Sequence, residues 1–279
     1  MKTLGEVYNL SVQFLEQKKI ERSKFLVQAL LTFVMGIDKL SLFMSFETPL
    51  QEVELSKIRE YLSQIAKGKP IEQILGVIDF FDCRIFVSED VLIPRPETEI
   101  LVDMLAKEIS ENAVTVWDVC CGSGCLGISL KKKFSHLSVT LSDISSKALG
   151  IAKVNARRNN VSVNFLQGDL LEPYKSLKAD LVICNPPYLS QDEYDQVDLS
   201  VKDYEPKIAL VGGFTGLEFY QRLAEMLPHY LNPGAKVYFE IGCNQGNDVL
   251  DIFSSPVWRK KRLLNDWAGH DRFFFLEIE

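Results

Sequence analysis

The sequence predicts an α/β protein in which a small helical domain, a β-hairpin linker and a doubly wound sheet follow one another along the chain. Through roughly the first seventy residues, apolar side chains recur at the spacing of amphipathic helices. From residue 114 onward, strand-like and helix-like segments alternate. This alternation is typical of a mostly parallel, Rossmann-like sheet with helices on both faces.

Residues 1–70 are predicted to form the helical domain. Its three helices would turn the following apolar residues inward: Tyr8, Val12 and Leu15 in the first, Phe25, Leu26, Ala29, Leu30 and Phe33 in the second, and Val53, Leu55, Ile58, Tyr61, Leu62 and Ile65 in the third, which runs from about residue 51 to 66. The Lys-Gly-Lys-Pro segment at residues 67–70 breaks the helical pattern. The domain boundary is therefore placed there.

Residues 71–99 are predicted to be a linker that contains a β-hairpin. Aromatic and β-branched residues such as Phe80, Phe86 and Val87 surround Asp82, which suits a turn. Residues 100–279 form the second domain, with strands expected at 114–120, 138–142, 161–166, 179–184, 235–241 and 272–278, and helices at 124–133, 145–159, 216–230 and 244–253.

Composition narrows the classes of function. The formal net charge is −7 and the pI is about 5.2, which disfavours a protein whose main role is to bind a nucleic-acid backbone. The chain has no apolar run long enough to span a bilayer and no signal-peptide core near residue 1, so we expect a cytoplasmic protein without a membrane partner. Six cysteines and three histidines lack zinc-ligand spacing, so no metal site is expected.

A glycine-containing turn, formed by Cys120, Cys121, Gly122, Ser123 and Gly124, ends the first strand of the second domain. Glycines permit a tight turn and a close approach of backbone to a ligand. The third glycine of a dinucleotide-binding turn is missing, and no Walker lysine is present.

Acidic residues around this turn favour a cationic nucleoside. Asp118, just before the turn, would repel a pyrophosphate and suit a cation, and Asp143 after the second strand can accept both ribose hydroxyls. Asp169 follows the third strand and could reach an adenine amino group. S-adenosyl-L-methionine, which carries a positively charged sulfur, fits this pattern better than a dinucleotide.

Asn185-Pro186-Pro187-Tyr188 follows the fourth strand. The Asn185 carboxamide oxygen and the Pro186 carbonyl are two acceptors on a stiff backbone, because each proline restricts φ and has no N–H. Tyr188 adds a flat apolar face. Together these residues suit a planar group that carries an NH₂, such as an amide or an exocyclic amine. In a doubly wound sheet they share the carboxyl edge with the cofactor turn.

These motifs resemble those of the PrmC/HemK family, the protein-(glutamine-N5) methyltransferases of class I peptide release factors. The resemblance covers nearly the whole chain and includes five further segments: Val91-Leu92-Ile93-Pro94-Arg95-Pro96-Glu97-Thr98-Glu99, Tyr204-Glu205-Pro206 with Ala209-Leu210, Gly216-Leu217-Glu218-Phe219-Tyr220, Glu240-Ile241-Gly242 and Ala268-Gly269-His270-Asp271-Arg272. The segment from Ile93 to Glu99 is the most selective of them.

The resemblance implies methyl transfer from S-adenosyl-L-methionine to the glutamine side chain of a Gly-Gly-Gln loop. This methylation modifies a release factor, a protein that acts in translation termination. The resemblance also implies that the helical domain helps to dock the release factor. It assigns the cofactor turn to residues 120–124, the ribose acid to Asp143, an adenine-flanking position to Leu170 and the substrate motif to residues 185–188, with Asn185 also beside the cofactor. We expect a monomer.

Cys120 and Cys121 depart from the family, which usually has glycine and threonine there. Because a left-handed backbone would strain a cysteine, we expect an ordinary backbone at Cys120. A reactive thiol pair is the alternative interpretation. Arg95 and Glu97 could shape a lid over the cofactor or hold the linker through a salt bridge, and we interpret Glu240 and Gln245 as structural.

Two other functions remain open at this point. A DNA adenine-N6 methyltransferase shares the Asn-Pro-Pro-Tyr motif, because an exocyclic amine needs the same acceptors as an amide, but such an enzyme should carry a basic recognition region. A non-catalytic scaffold could keep the fold and bind a translation partner through residues 1–70.

Overall fold

Two units make up the computed structural model, which describes residues 2–109 and 115–279. The helical unit comprises Met1–Gly76 together with Leu199–Tyr204. The α/β unit comprises Val77–Asp198 and Glu205–Glu279. Residue 114, where the first strand of the sheet was expected to start, lies outside the described residues.

The helical unit begins with five helices: α1 (Leu4–Gln17), α2 (Ser23–Met35), α3 (Lys39–Met44), α4 (Glu52–Ala66) and α5 (Ile71–Leu75). Side chains cap three of the starts, including that of α4, where the Glu54 carboxylate accepts the Gln51 N–H at 2.7 Å. The Thr3 hydroxyl accepts the Glu6 N–H while the Glu6 carboxylate accepts the Thr3 N–H, and Asp38 accepts the Ser41 N–H at 2.8 Å. The long helices are confirmed, whereas the short α3 and α5 were not predicted.

Two helices bury a set of residues that differs in part from the one expected. In α4, Ile58, Leu62 and Ile65 are buried as predicted, but Val53 is 68% exposed. In α2, the buried stripe runs through Val27, Leu30 and Leu31, so Phe25 and Phe33 are left nearly half exposed. An almost wholly apolar sequence such as that of α2 does not specify which stripe faces inward, so packing against the other helices decides it.

The hairpin is confirmed as β1 (Val77–Phe80) paired antiparallel with β2 (Cys83–Phe86). Phe81 and Asp82 form its turn, with φ of Phe81 at +51°. Helix α6 (Pro96–Glu108) was not predicted, although proline suits the first position of a helix, where no partner for its N–H is needed.

The α/β unit contains a seven-stranded sheet with the order β10-β11-β9-β6-β3-β4-β5. Strands β3, β4, β5, β6 and β9 are parallel, and β11 is antiparallel to both β9 and β10. The remaining elements are β3 (Thr115–Val119), α7 (Cys125–Lys133), β4 (Ser138–Asp143), α8 (Ser146–Arg158), β5 (Asn164–Gln167), β6 (Ala179–Cys184), β7 (Leu189–Ser190), α9 (Gln191–Gln196), α10 (Leu199–Lys202, in the helical unit), β8 (Val211–Gly213), α11 (Glu218–Met226), β9 (Leu231–Glu240), α12 (Gly246–Ile252), β10 (Trp258–Asn265) and β11 (Asp271–Ile278).

Alternate residues of the central strands belong to two different apolar clusters, one on each face of the sheet. Val116 and Ile183 belong to the cluster that includes the apolar residues of α6, α7 and α8. Trp117 and Val182 belong to the cluster of α11 and α12, where Trp117 stacks on Tyr174 at 3.8 Å between ring centroids. The doubly wound sheet is therefore confirmed, and β10 is the one strand of its antiparallel edge that the sequence pattern missed.

The chain order of the strands reverses between β3 and β6, so the turns after these strands diverge at the carboxyl edge of the sheet. Open α/β sheets bind ligands at such a reversal point. In the described parts of the chain, no helix combines the length and the apolar composition that crossing a membrane would require.

Candidate active site

A cavity of about 220 Å³ lies at the carboxyl edge of the parallel strands. The turns after β3, β4, β5 and β6 all contribute to its lining, as expected for the carboxyl ends of neighbouring parallel strands. Of the residues singled out in the sequence, it is lined by Cys120, Cys121, Gly122, Ser123, Asp143, Asp169, Leu170, Asn185 and Pro187. Gly124, Pro186 and Tyr188 lie beside these residues in sequence but do not line the cavity.

The turn after β3 contradicts the expectation for Cys120. Its φ is +57°, in the left-handed region, so the expected ordinary backbone is wrong. The conformation is held by two long-range hydrogen bonds just beyond it: the Cys121 N–H donates to the Ser142 carbonyl and the Gly122 N–H to the Asp143 carboxylate, each at 2.9 Å. A non-glycine residue in this region costs about 1–2 kcal/mol, which the surrounding structure must offset.

A substitution series at Cys120 tests this backbone. We expect stability to fall in the order Cys120→Gly, Cys120→Ala, Cys120→Val, with the valine variant about 2 kcal/mol below the glycine variant, because β-branched residues tolerate positive φ least. Urea denaturation gives the free energies of unfolding. Equal stability of the glycine and valine variants would show that the turn is not left-handed at Cys120.

Gly124 has a structural role at the start of α7. Its φ is +78°, and a Cβ added there would lie 2.9 Å from the Ile128 side chain and 3.0 Å from that of Leu141. Glycine therefore allows the turn to enter the helix while the helix packs closely on the sheet.

Asp143, the last residue of β4, uses both carboxylate oxygens to order the neighbouring turns. One oxygen accepts the Gly122 N–H and the other accepts the Ser145 N–H, each at 2.9 Å. Burial raises the pKa of Asp143, and these backbone N–H groups act in the opposite direction. Each oxygen keeps a free lone pair, so the carboxylate can still accept hydroxyl groups of a ligand in the cavity.

Asp118 does not line the cavity, which corrects its expected place beside a cationic ligand. It is 1% exposed, one oxygen accepts the Gly127 N–H at 2.8 Å, and the other oxygen has no hydrogen-bond partner among the described residues. Burial, together with the negative charge of Asp143, raises the pKa of Asp118 to about 7, against the lowering effect of the Gly127 N–H. Its main contact therefore holds α7 against β3.

The raised pKa of Asp118 predicts a pH dependence of stability. The usual pKa of an aspartate side chain is 3.8, whereas folded Asp118 retains its proton up to about pH 7, so the contribution of Asp118 to stability is lost as the pH rises between these values. As the pH is raised from about 5 to about 8, we expect the stability of Asp118→Asn to increase relative to that of the native protein. Urea denaturation at both pH values measures this difference, and exposed Asp251→Asn is the control. A pH-independent difference would contradict the assignment.

The turn after β5 is held by an ion pair. Asp169 contacts Arg222 of α11 at 2.6 Å, and both residues line the cavity. Leu170 is buried with φ at +46°. The turn therefore presents a polar edge at Asp169 next to an apolar surface at Leu170.

The Asn185–Tyr188 corner is anchored from behind. The Gln245 side-chain amide donates to the Tyr188 carbonyl at 2.8 Å and to the Gly216 carbonyl at 3.3 Å, while its oxygen accepts the Gly242 N–H at 3.0 Å. At Gly212 a Cβ would lie 2.4 Å from the Pro187 carbonyl oxygen, so only glycine allows β8 to lie this close. Gln245 is thus a structural support, as we expected.

Tyr188 keeps its hydroxyl proton at neutral pH. Burial, together with Glu240, raises the pKa of Tyr188 to about 12, against the lowering effect of Arg272 and Arg95. Its side chain packs against the apolar cluster of α11 and α12. Tyr188 is therefore a neutral aromatic surface rather than a base.

The segment that runs into α6 contains Arg95, whose role the sequence left open. Arg95 pairs with the buried Glu205 at 2.5 Å, and the Glu205 carboxylate also accepts the Ile93 N–H at 2.9 Å. This pair joins two cavity walls, one at Pro94 and one at Pro206. Of the two roles considered for Arg95, the geometry shows the salt bridge.

Sequence analysis did not assign several residues that line the cavity, although most lie in the motifs that carry the resemblance: Leu92, Pro94, Thr98, Pro206, Ala209, Phe219 and Arg222. The sequence shows the motifs that contain most of these residues, but neither spacing nor composition indicates that these motifs meet at one cavity. The thiol-pair alternative loses support at Cys121, because burial, followed by Asp118 and Asp143, raises the pKa of its thiol well above the ordinary value.

Comparison with solved structures supports the fold. A methyltransferase from Pyrococcus furiosus superposes with a TM-score of 0.55 at 18% identity, over 78% of this chain and 98% of that one. The 16S rRNA N2 G1207 methyltransferase of Thermus thermophilus gives 0.52 at 14% identity, over 73% and 50%. A family model described as Methyltransferase small domain matches residues 95–201. The fold and the carboxyl-edge cavity thus define a Rossmann-like methyltransferase.

Sequence relatives give the family. A protein named release factor glutamine methyltransferase from Geobacter sulfurreducens is 34% identical to this chain, over 97% of this chain and 95% of the relative. A protein of the same name from Bacillus subtilis is also 34% identical, over 98% of this chain and 96% of the relative. One from Chlamydia trachomatis serovar L2 is 47% identical over 75% of this chain and 72% of its own length. A model described as PrmC N-terminal domain matches residues 6–76. The chain belongs to the release factor glutamine methyltransferase family.

Proposed function

We propose that this protein transfers a methyl group from S-adenosyl-L-methionine to the side-chain amide nitrogen (N5) of the glutamine in the Gly-Gly-Gln motif of class I peptide release factors. The names of its relatives and the match to the PrmC N-terminal domain support this substrate. The observation that carries the proposal is that one cavity contains both the Asp143 turn and Asn185. A donor site and an amide acceptor site would then adjoin.

The described residues fit the proposed donor. Asp143 would accept the ribose hydroxyls, since it lines the cavity and its carboxylate oxygens have lone pairs to spare. Asp169 and Leu170 would hold the adenine by its amino edge and one face, and residues 120–124 would hold the methionine end. S-adenosyl-L-methionine supplies an electrophilic methyl group on a positively charged sulfur.

The chain's own residues would prepare the acceptor nitrogen. An amide nitrogen is a poor nucleophile because its lone pair is delocalised into the carbonyl group. The Asn185 oxygen and the Pro186 carbonyl would accept its two N–H groups and so point the lone pair toward the cavity. Tyr188 would pack on the amide plane. Fixed acceptors stabilise the positive charge that develops on nitrogen, and fixing both reactants contributes ~7–11 kcal/mol in well-oriented cases.

No side chain is needed as a general base in this proposal. The nitrogen becomes more acidic as it gains the methyl group, so its proton can leave to solvent afterwards. Asp143 and Asp169 bind rather than react. The helical unit would contribute to docking of the release factor, and we propose a cytoplasmic monomer.

DNA is the alternative substrate, since an exocyclic adenine amine would meet the same two acceptors. The net charge of −7 disfavours it, because DNA binding needs a basic surface. No feature of the described cavity favours a base over an amide.

The experiment that tests the proposal incubates the purified protein with S-adenosyl-L-methionine and a class I release factor. Mass spectrometry of the Gly-Gly-Gln peptide is expected to show one added methyl group on the glutamine. Matched incubations use a release factor whose Gly-Gly-Gln glutamine is alanine, and double-stranded DNA. Methylation of DNA, or of the alanine variant at the same peptide, would reject the proposed substrate.

A further inference from the structure

Glu240 ends β9 directly beside the proposed acceptor corner. In the parallel pair of β6 and β9, Cys184 is opposite Phe239. Asn185, the first residue after β6, and Glu240, the last residue of β9, are therefore the next aligned positions, and in a parallel pair such positions direct their side chains to the same face. Glu240 is 1% exposed, so its carboxyl group must be satisfied by protein groups.

The partners of Glu240 come from three different elements. The Thr98 hydroxyl of α6 donates to its carboxylate at 2.8 Å, and the Asn185 side chain, at the neighbouring strand end, lowers the pKa of this carboxyl group. The Tyr220 hydroxyl donates to the backbone carbonyl of Glu240 at 3.0 Å. Burial raises the pKa of Glu240 to about 7, while Thr98, Arg272 and Asn185 lower it and Glu97 raises it. Above that pH, the carboxylate is ionised.

This arrangement determines which end of the Asn185 side chain meets the substrate. A carboxamide has a donor end and an acceptor end of nearly the same shape, and either could face the cavity. An ionised carboxylate only accepts hydrogen bonds, so a carboxamide at the adjacent aligned position is most stable with its NH₂ turned toward Glu240. The Asn185 oxygen is then left for the cavity side, where the proposed reaction needs an acceptor.

We infer that Glu240 is a positioning residue for Asn185, held in turn by Thr98, and not merely a support of the sheet edge as its sequence context suggested. This inference rests on the proposed function and deepens it. It also gives Thr98 a role: the hydroxyl of this signature residue orients the carboxylate that orients Asn185. Glu240 itself would not touch the substrate.

Glu240→Gln is the direct test, because it keeps the shape of the side chain and replaces the acceptor-only group with one that can also donate. In assays at about pH 8, we expect kcat for release factor methylation to fall about 10- to 100-fold, the cost of a charge-assisted hydrogen bond. The KM for the release factor and the dissociation constant of S-adenosyl-L-methionine should stay within about threefold.

Glu277→Gln is the matched control. Glu277 is an equally buried carboxylate in β11, paired with Arg259 and with Lys260, and it lies opposite Lys236 rather than at the carboxyl edge of β9. We expect this variant to lose stability and to keep its kcat. If Glu240 only stabilised the sheet, both variants would show the same pattern, and the inference would be overturned.

A second pair of variants decides the matter even where Glu240→Gln folds poorly. Thr98→Val removes the hydroxyl that holds Glu240, and Thr98→Ser keeps it. We expect a severalfold loss of kcat in the valine variant and recovery in the serine variant. Equal kcat in the valine variant and the native protein would overturn the inference.

The activity of the native protein is measured first, so that the two failures are distinguishable. A native protein that binds S-adenosyl-L-methionine but does not methylate the release factor would reject the proposed function, and this inference with it. An active native protein together with a fully active Glu240→Gln variant would reject the inference alone.

Discussion

Replacing Asn185 with alanine is expected to lower kcat for release factor methylation by about 10²- to 10³-fold, the effect of removing one preorganised hydrogen-bonding group at a reacting centre. The variant keeps the backbone of the corner, because Gln245 donates to the Tyr188 carbonyl and β8 lies close against Pro187 at Gly212. The loss should therefore appear in kcat. The affinity for S-adenosyl-L-methionine, measured by calorimetry, should change by less than about threefold, because Asn185 is one of many lining residues.

Asn164→Ala is the control for this prediction. Asn164 is exposed at the start of β5, on the edge of the sheet opposite the cavity, and its replacement should leave kcat unchanged. Methylation by Asn185→Ala at the native rate would exclude Asn185 as the acceptor of the glutamine N–H. It would also remove the basis for a positioning role of Glu240.

Replacing Asp143 with alanine is expected to weaken binding of S-adenosyl-L-methionine by about 100-fold, because two hydrogen bonds from ribose hydroxyls to a charged group would be lost. The substitution also frees the Gly122 and Ser145 N–H groups, which now donate to this carboxylate. Calorimetric titration measures the affinity. Asp143→Asn should lose less, since its side-chain oxygen can keep one of these contacts.

The exposed Asp251 of α12 provides the control, and Asp251→Ala should bind the cofactor as the native protein does. An unchanged affinity in Asp143→Ala would reject the ribose-binding role. Catalysis by that variant at saturating cofactor should approach the native kcat, because Asp143 is assigned to binding and not to reaction. A defect that saturation does not correct would indicate that the turn at Gly122 had lost its shape.

Local sequence patterns predicted much of the α/β unit. The alternation of strands and helices after residue 114 is a short-range property, since each element needs only its own periodicity to be identified. The position of the motifs after successive strands then placed Cys120, Asp143, Asp169 and Asn185 along one edge, because parallel strands end together. The cavity between these turns agrees with that reasoning.

The errors arose where long-range contacts override local preference. Cys120 adopts a positive φ because hydrogen bonds to the Ser142 carbonyl and the Asp143 carboxylate hold the residues that follow it. Asp118 is turned into the core by the start of α7, although its position before the turn suggested a place in the cavity. Strand β10 carries four consecutive basic residues, at positions 259–262, and only its pairing with β11 makes it part of the sheet.

The sequence by itself determined the class of fold, the edge of the sheet that carries the site, and the chemical types of the groups at that edge. Only the tertiary structure decided how these groups are oriented: Thr98 meets Glu240 across 142 positions of the chain, and Arg95 meets Glu205 across 110. Periodicity reports which face of an element is apolar, and turn residues report where an element ends. Neither carries information about which polar side chain of a distant element will satisfy a buried carboxylate, because that choice is made by packing.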